Sequence, residues 1–269
     1  MRLIDYIQER EQWGKLWFSK TEALEHLGCS KISLKQSITS LTQKKRLAPI
    51  RGDFVVIVPL NYKSWGITPA DWFIDPLMKS LELPYYISTL TAGQYHGAAH
   101  QKPQQFQVVT NQYLRDIRYE RIKIRFLQNN KATRVPTQRI QVQTGYAILA
   151  TPEATAFDLC KFYAASGYWS NIGTVLLELL EEVDSRKLCE IAMSGVYDTS
   201  VIQRLGHVLS HPDVRGGASI AKELYKVIKP KSFRWIQLTP KQKYIEELGP
   251  WQKDDTWKII ITDDIETDI

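Results

Sequence analysis

Cysteine is scarce in this sequence, and long apolar runs are missing. Its three cysteines, Cys29, Cys160 and Cys189, are odd in number and widely spaced. They argue against a disulfide framework or a thiolate zinc site, so we expect packing residues. The longest apolar stretch, residues 54–60, is far shorter than the roughly 20 residues that cross a bilayer, which predicts no transmembrane helix. Asp5 stands where a secretory signal would be apolar, which predicts a cytoplasmic protein.

Motifs of common enzyme classes are also missing. The sequence has no Gly-rich phosphate loop, no G-x-S-x-G nucleophile motif and no Asp-x-Asp pair of the nucleotidyltransferase kind. Glu120 and Lys123 approach a nuclease motif, but a spacing of three places them on opposite faces of a strand. We therefore predict no catalytic residue, no cofactor and no enzymatic activity.

The histidines form two pairs, His96 with His100 and His207 with His211, whose i, i+4 spacing would place two imidazoles on one helix face. Neither pair encloses the glutamate that the metalloprotease pattern requires, and a glycine or a proline would disturb each helix. We therefore predict no metal site and expect His96 to be a hydrogen-bonded core residue.

Positive charge is concentrated in two regions of the chain. Residues 1–60 carry ten Lys/Arg and six Asp/Glu, a formal charge of +4, and residues 83–150 carry nine and two, a charge of +7. Residues 151–269 carry fourteen and eighteen, a charge of −4. Two basic regions therefore precede an acidic one, and a basic balance favours polyanionic partners.

Three helices are predicted in the first 45 residues. Leu3, Ile4 and Ile7 have helical spacing. Residues 19–22 read S-x-x-E, a capping box that starts a second helix, and Gly28 ends it. Ser30 is a favourable N-cap for a third helix, whose inward stripe would be formed by Leu34, Ile38 and Leu41.

The outward face of the third helix predicts DNA recognition. Small hydroxyl and amide side chains can hydrogen-bond base edges, and we assign that role to Ser33, Gln36, Ser40 and Gln43. Phosphate contacts are predicted for the neighbouring cations Lys31, Lys35, Lys44, Lys45, Arg46 and Arg51. A β-hairpin with a basic tip follows, so residues 1–58 are predicted to form a winged helix-turn-helix. A three-helix module that binds a protein partner is the alternative.

The middle of the chain predicts a connection and then a basic strand. Residues 59–84 contain four prolines and are predicted to be a connecting segment. Residues 117–127 alternate between basic and apolar side chains, as in a half-buried strand. We predict a second basic surface made of Arg115, Arg118, Arg121, Lys123 and Arg125. It would contact phosphates, or else be an ordinary solvated strand face.

The last part of the chain is predicted to be mainly helical. Thr151, Pro152 and Glu153 supply a cap, an N1 proline and an acid in the first turn. Helical periodicity continues to residue 230, and terminal strands are predicted within residues 231–269. The predicted fold class is α+β: an N-terminal winged helix-turn-helix, then a larger mixed α/β domain over residues 85–269, β-rich and basic over 85–150.

Three ordered blocks of sequence resemble the AbiEi antitoxin family. They are YYISTLTAGQYHGAAHQKPQQFQVVT from Tyr85 to Thr110, TPEATAFDL from Thr151 to Leu159, and VIQRLGHVL from Val201 to Leu209. The resemblance implies that the N-terminal domain binds inverted repeats in its own promoter and that residues 85–269 form the antitoxin domain. It also implies a functional partner, a nucleotidyltransferase toxin of the AbiEii type in a phage-defence system, neutralised without a stable complex.

Two other functions stay open at this point. One is a stand-alone winged-helix regulator that senses a ligand or partner through its C-terminal domain, and the other is a nuclease. An adjoining gene for a nucleotidyltransferase would favour the antitoxin, and incubation with plasmid and magnesium would reveal a nuclease.

Overall fold

A computed structural model describes residues 2–98, 103–229, 232–240 and 252–267. The chain forms two compact units. Unit 1 consists of residues 1–87, 104–133 and 139–149, and unit 2 of residues 88–103, 134–138 and 150–269. Charge is divided between them: unit 1 has nineteen Lys/Arg and eleven Asp/Glu, a formal +8, whereas unit 2 has sixteen and eighteen, a formal −2.

Unit 1 begins with three helices and a small antiparallel sheet. The elements are α1 (Leu3–Gln12), β1 (Trp17–Ser19), α2 (Lys20–Leu27), α3 (Lys31–Gln43), β2 (Leu47–Arg51) and β3 (Phe54–Ile57). The strands are ordered β1-β3-β2. One apolar core joins them, including Ile7, Phe18 and Ile38. The three predicted helices are confirmed.

Local capping sets the ends of α2 and α3. The Ser19 hydroxyl accepts from the Glu22 N–H at 2.9 Å, and the Ser30 hydroxyl accepts from the Ser33 N–H at 3.2 Å. Gly28 ends α2 at φ 58°, a left-handed conformation that suits glycine. The Glu22 carboxylate does not complete the predicted capping box, because it forms an ion pair with Arg10 at 2.5 Å instead.

Residues 59–84 are part of unit 1 rather than a connection between domains. They contain two short 3₁₀ turns, Leu60–Tyr62 and Ala70–Trp72, followed by α4 (Ile74–Ser80). The predicted boundary between residues 84 and 85 therefore differs from the division in the structure. Prolines interrupt the helical periodicity here, but the buried side chains of residues 67–78 still build a packed segment.

A six-stranded mixed sheet completes unit 1. Its strands are β4 (Tyr85–Ile87), β5 (Phe106–Thr110), β6 (Ile117–Tyr119), β7 (Ile122–Gln128), β8 (Thr137–Val142) and β9 (Gly145–Ala150). They are ordered β6-β7-β5-β4-β9-β8. β4 is antiparallel to β5 and parallel to β9, with Ile87 opposite Leu149. The single strand predicted over residues 117–127 is wrong: a turn at Glu120 and Arg121 divides it into β6 and β7.

Unit 2 is mainly helical. Its helices are α5 (Thr89–Tyr95), α6 (Pro152–Lys161), α7 (Tyr168–Leu179), α8 (Ser185–Met193), α9 (Thr199–Leu209) and α10 (Gly217–Ile228). The short strands β10 (Ile236–Gln237), β11 (Lys253–Asp254) and β12 (Ile259–Ile260) are ordered β10-β12-β11. The cap at Thr151 is confirmed, since its hydroxyl accepts from the Ala154 N–H. Within the described residues, no helix is both long and apolar enough to cross a membrane.

Candidate nucleic-acid interface

The exposed face of α3 is the main candidate site. Leu34 and Ile38 turn into the N-terminal core and are 3% and 6% exposed. The opposite face therefore points to solvent, and all four side chains assigned to base reading are exposed: Ser33, Gln36, Ser40 and Gln43. The sequence pattern and the buried face of the helix thus place these four side chains on one accessible surface, next to Lys35.

Ile32 is a member of this surface that we did not predict from sequence. Its side chain is 72% exposed, and it lines a shallow concavity of α3 together with Gln36 and Ser40. These three residues follow one another at i, i+4 and i+8, so the spacing was visible in the sequence. The prediction of base-reading residues named only polar side chains and so did not include Ile32. An apolar group in a major groove contacts the thymine methyl group.

A groove between α3, the start of α2 and the β2–β3 hairpin borders this face. Lys31 and Lys35 line its α3 side, and Lys20 lines its α2 side. The hairpin tip is tied to α2, because the Lys20 ammonium donates to the Gly52 carbonyl at 2.5 Å and Asp53 accepts from the Thr21 N–H at 3.3 Å. The hairpin tip that was predicted to be basic therefore also carries the Asp53 carboxylate, and it is held against the start of α2.

Two of the predicted phosphate contacts have other partners. Arg46 forms an ion pair with Glu11 at 2.8 Å, and its side chain is only 14% exposed. Arg51 donates to the carbonyl of Arg115 and lies 5.4 Å above the ring of Phe126. Burial lowers the pKa of Arg51, with the Arg115 charge acting in the same direction. Both arginines are therefore engaged within the protein, whereas the four predicted lysines are exposed.

Four of the five side chains predicted for the second basic surface are exposed: Arg115, Arg118, Arg121 and Lys123. Arg118 of β6 lies opposite Lys123 of β7, and both are exposed, whereas Arg125 is half-buried. Asp116 lies in the same shallow concavity and accepts from the Phe126 N–H at 3.0 Å. Arg121 is not on the strand row, because it occupies the turn. The alternation predicted along β7 is confirmed for Ile124 and Phe126, which are buried.

Buried polar contacts in unit 2 join two of the family-like blocks. The Ser88 hydroxyl donates to the Asp158 carboxylate at 2.6 Å, and the Tyr197 hydroxyl lies 2.9 Å from its other oxygen. All three residues are buried. The hydrogen bond from Ser88 to Asp158 holds the start of α5 against α6. This arrangement positions the core of unit 2.

The histidines have hydrogen-bond partners of their own. Nε2 of His96 donates to the Ala150 carbonyl at 2.8 Å, and Nδ1 of His207 lies 2.7 Å from Asp254. Burial lowers the pKa of His96, against the opposing effect of that carbonyl. His100 lies outside the described residues. In the described parts of the chain, no three His, Cys, Asp or Glu side chains gather as metal ligands.

The two units together make this an α+β protein. Residues 86–211 match the family described as the AbiEi antitoxin C-terminal domain. This match confirms the resemblance to the AbiEi antitoxin family that was found in the sequence.

One solved structure shows how far the fold likeness extends. The RV2827C protein from Mycobacterium tuberculosis is 13% identical, with a TM-score of 0.62 over 96% of this chain and 90% of that chain. At this identity the likeness concerns the fold alone. A comparison with curated proteins finds no match.

Proposed function

We propose that this protein is a cytoplasmic DNA-binding autorepressor and antitoxin that counteracts a nucleotidyltransferase toxin of the AbiEii type, without catalytic activity of its own. The exposed row on α3 carries the DNA-binding part of this proposal. Three helices followed by a hairpin are the order of a winged helix-turn-helix, in which the third helix enters the major groove. The +8 charge of unit 1 supports a polyanionic partner.

Each part of α3 has a distinct role in this proposal. Ser33, Gln36, Ser40 and Gln43 read base edges of an inverted repeat in the promoter of the protein's own gene. Phosphates are contacted by the exposed cations that flank that face: Lys31, Lys35, Lys44 and Lys45. Such contacts position the protein on the duplex and carry no sequence information. An inverted repeat requires two copies of the protein on one operator, one on each half-site.

The test of DNA recognition is the promoter fragment against a scrambled duplex of equal length. Replacing Gln36 with Ala removes a bidentate donor and acceptor, so binding to the promoter should weaken by about 1–3 kcal/mol while binding to the scrambled duplex is unchanged. Gln8, which is exposed on α1, supplies the matched control Gln8→Ala and should have no effect. An equal loss on both duplexes would show that Gln36 does not read bases.

The antitoxic part is proposed to lie beyond the N-terminal helices. The Tyr85 hydroxyl donates to Asp75 at 3.1 Å and accepts from the Ile148 N–H, so residues 59–84 support the large sheet. A fragment of residues 59–269 should therefore protect cells from the toxin under a foreign promoter, yet fail to repress the native promoter. A fragment of residues 85–269 should be less stable. Loss of protection by a folded 59–269 fragment would contradict this division.

A further inference from the structure

An aromatic cluster follows β3 directly. The ring of Tyr62 stands edge-on to Trp65 at 6.1 Å and to Trp72 at 4.9 Å, with interplanar angles of 80° and 66°. Tyr62 and Trp72 are half-buried, whereas Trp65 is 47% exposed. Edge-to-face packing of this kind fixes ring orientations, so Trp65 is presented to solvent in a defined pose.

A cation from another part of unit 1 lies over the exposed ring. Arg121 occupies the turn between β6 and β7, and its guanidinium lies 5.6 Å from the centre of the Trp65 ring. The side chain of Glu120, in the same turn, lies beside Gly66, where an added Cβ would be 3.1 Å from Cγ of Glu120. Gly66 also has φ +71°, which favours glycine. The residues next to Trp65 and Arg121 in sequence, Gly66 and Glu120, therefore also lie close together.

The side chains near this pair include apolar and positive ones as well as the Glu120 carboxylate. Leu60 is 71% exposed, and Lys63 is also exposed. Leu60 and Trp65 are both exposed within one six-residue segment, and exposed apolar patches mark binding surfaces. We name the exposed side chains of Leu60, Lys63, Trp65 and Arg121 the Trp65 surface.

We infer that the Trp65 surface binds single-stranded nucleic acid, as a site separate from α3. Aromatic rings beside cations are the usual platform for unpaired bases, since every base has a face that can stack. A duplex keeps its base faces stacked inside, so Trp65 would find no such face on the operator. Tryptophan and arginine are also common in protein interfaces. The +8 charge of unit 1 favours a polyanion, with Arg121 and Lys63 available to phosphates.

The test uses the full chain and fluorescence anisotropy with labelled twelve-nucleotide oligoadenylates, one RNA and one DNA, beside an abasic oligomer with the same phosphates. Replacing Trp65 with Ala should weaken oligoadenylate binding at least about fivefold, the lower end of the cost of one lost stack. Trp65→Phe should restore part of the affinity, because a smaller ring still stacks. The RNA and DNA arms show whether the sugar matters.

The controls separate stacking from charge and from folding. Trp13 is 76% exposed in the same unit, so Trp13→Ala should bind like the wild type. The abasic oligomer should bind more weakly than oligoadenylate and should not distinguish Trp65→Ala from the wild type. Duplex promoter binding should be unchanged in every variant, which keeps this result independent of the proposed operator recognition.

Three results would overturn the inference. The first is equal oligoadenylate affinity of Trp65→Ala and the wild type. The second is equal wild-type affinity for the abasic and the adenylate oligomers, which would mean that charge alone drives binding. The third is loss of binding to the purified toxin in Trp65→Ala with oligoadenylate binding intact, which would make the surface a protein interface.

Discussion

Nη2 of Arg46 lies 2.8 Å from Oε1 and 3.0 Å from Oε2 of Glu11. This ion pair joins the residues after α3 to α1, with side chains that are 14% and 23% exposed. A cation held in this way contributes to folding and has little freedom to meet a phosphate. Lys45, by contrast, is exposed next to it in sequence.

Replacing Arg46 with Ala should therefore lower the free energy of unfolding by about 1–3 kcal/mol, because the Glu11 carboxylate loses its partner. The dependence of log affinity on log salt should stay unchanged for promoter DNA. Lys45→Ala should do the opposite: it should leave the stability unchanged and flatten the salt slope by about 0.9. Urea denaturation and salt titration check both variants. A flatter slope in Arg46→Ala would return Arg46 to the phosphate contacts.

Ile32 should recognise a thymine methyl group in the operator. Replacing each thymine in turn with deoxyuridine removes one methyl group, and at one position per half-site the wild type should lose about 0.8 kcal/mol, the value of one buried CH₂. Ile32→Ala should be insensitive to that replacement, since the contact is already gone. Thr39→Ala is the control, because the Thr39 hydroxyl donates to the Lys35 carbonyl and has no proposed methyl contact. Equal sensitivity of Ile32→Ala and the wild type at every thymine would contradict the contact.

Arg118 and Lys123 test the second basic surface. If both cations contact phosphates, the double change to Ala should flatten the salt slope by about 1.8 and leave the preferred base sequence unaltered. Stability should not fall, since like charges opposite each other on neighbouring strands repel. Lys79→Ala, in the same unit and paired with Asp75, should not change the slope. Identical slopes for the double variant and the wild type would leave this row an ordinary solvated face.

Asp254 should make the stability of the protein depend on acidic pH. Burial acts to raise its pKa, but hydrogen bonds from His207 and from the Trp257 and Thr256 N–H groups outweigh burial, and the pKa is lowered. A carboxyl with a lowered folded pKa adds stability above its unfolded pKa of about 3.9, and this stability is lost as pH falls through the folded pKa.

Asp254→Asn should therefore unfold more easily than the wild type at pH 6, and the difference should shrink below about pH 4. Thermal unfolding measured from pH 3 to pH 7 gives this comparison. Asp255→Asn is the matched control, because Asp255 is exposed and its ion pair with Lys258 is long, at 3.8 Å. A constant difference across the whole range would mean that the His207 contact does not depend on the Asp254 charge.

Local signals in the sequence predicted most of the helical structure. Ser30, Thr151 and Gly28 act on backbone groups within a few residues, so their effect can be read without knowing the fold. The exposed face of α3 follows from the spacing of Leu34 and Ile38 for the same reason. Its use in DNA binding stays a prediction.

Contacts between distant parts of the chain were not predictable in this way. Arg46 finds Glu11 thirty-five residues earlier, and Arg121 meets a tryptophan ring from a segment that had been interpreted as a connection. Nothing in the sequence around an arginine in a basic stretch indicates which distant residue it will contact. The same limit applies to residues 59–84, whose prolines hide the support that Asp75 gives to Tyr85.

The pairing of Ile87 with Leu149 sets an order of events during synthesis. The N-terminal core uses residues 3–57 only, so it can close as soon as they leave the ribosome. β4 must wait for β9, and at about 5–20 residues per second that interval lasts several seconds. A nascent chain therefore carries a folded N-terminal module well before the large sheet closes, and chaperones would meet the sheet's unpaired strands in between.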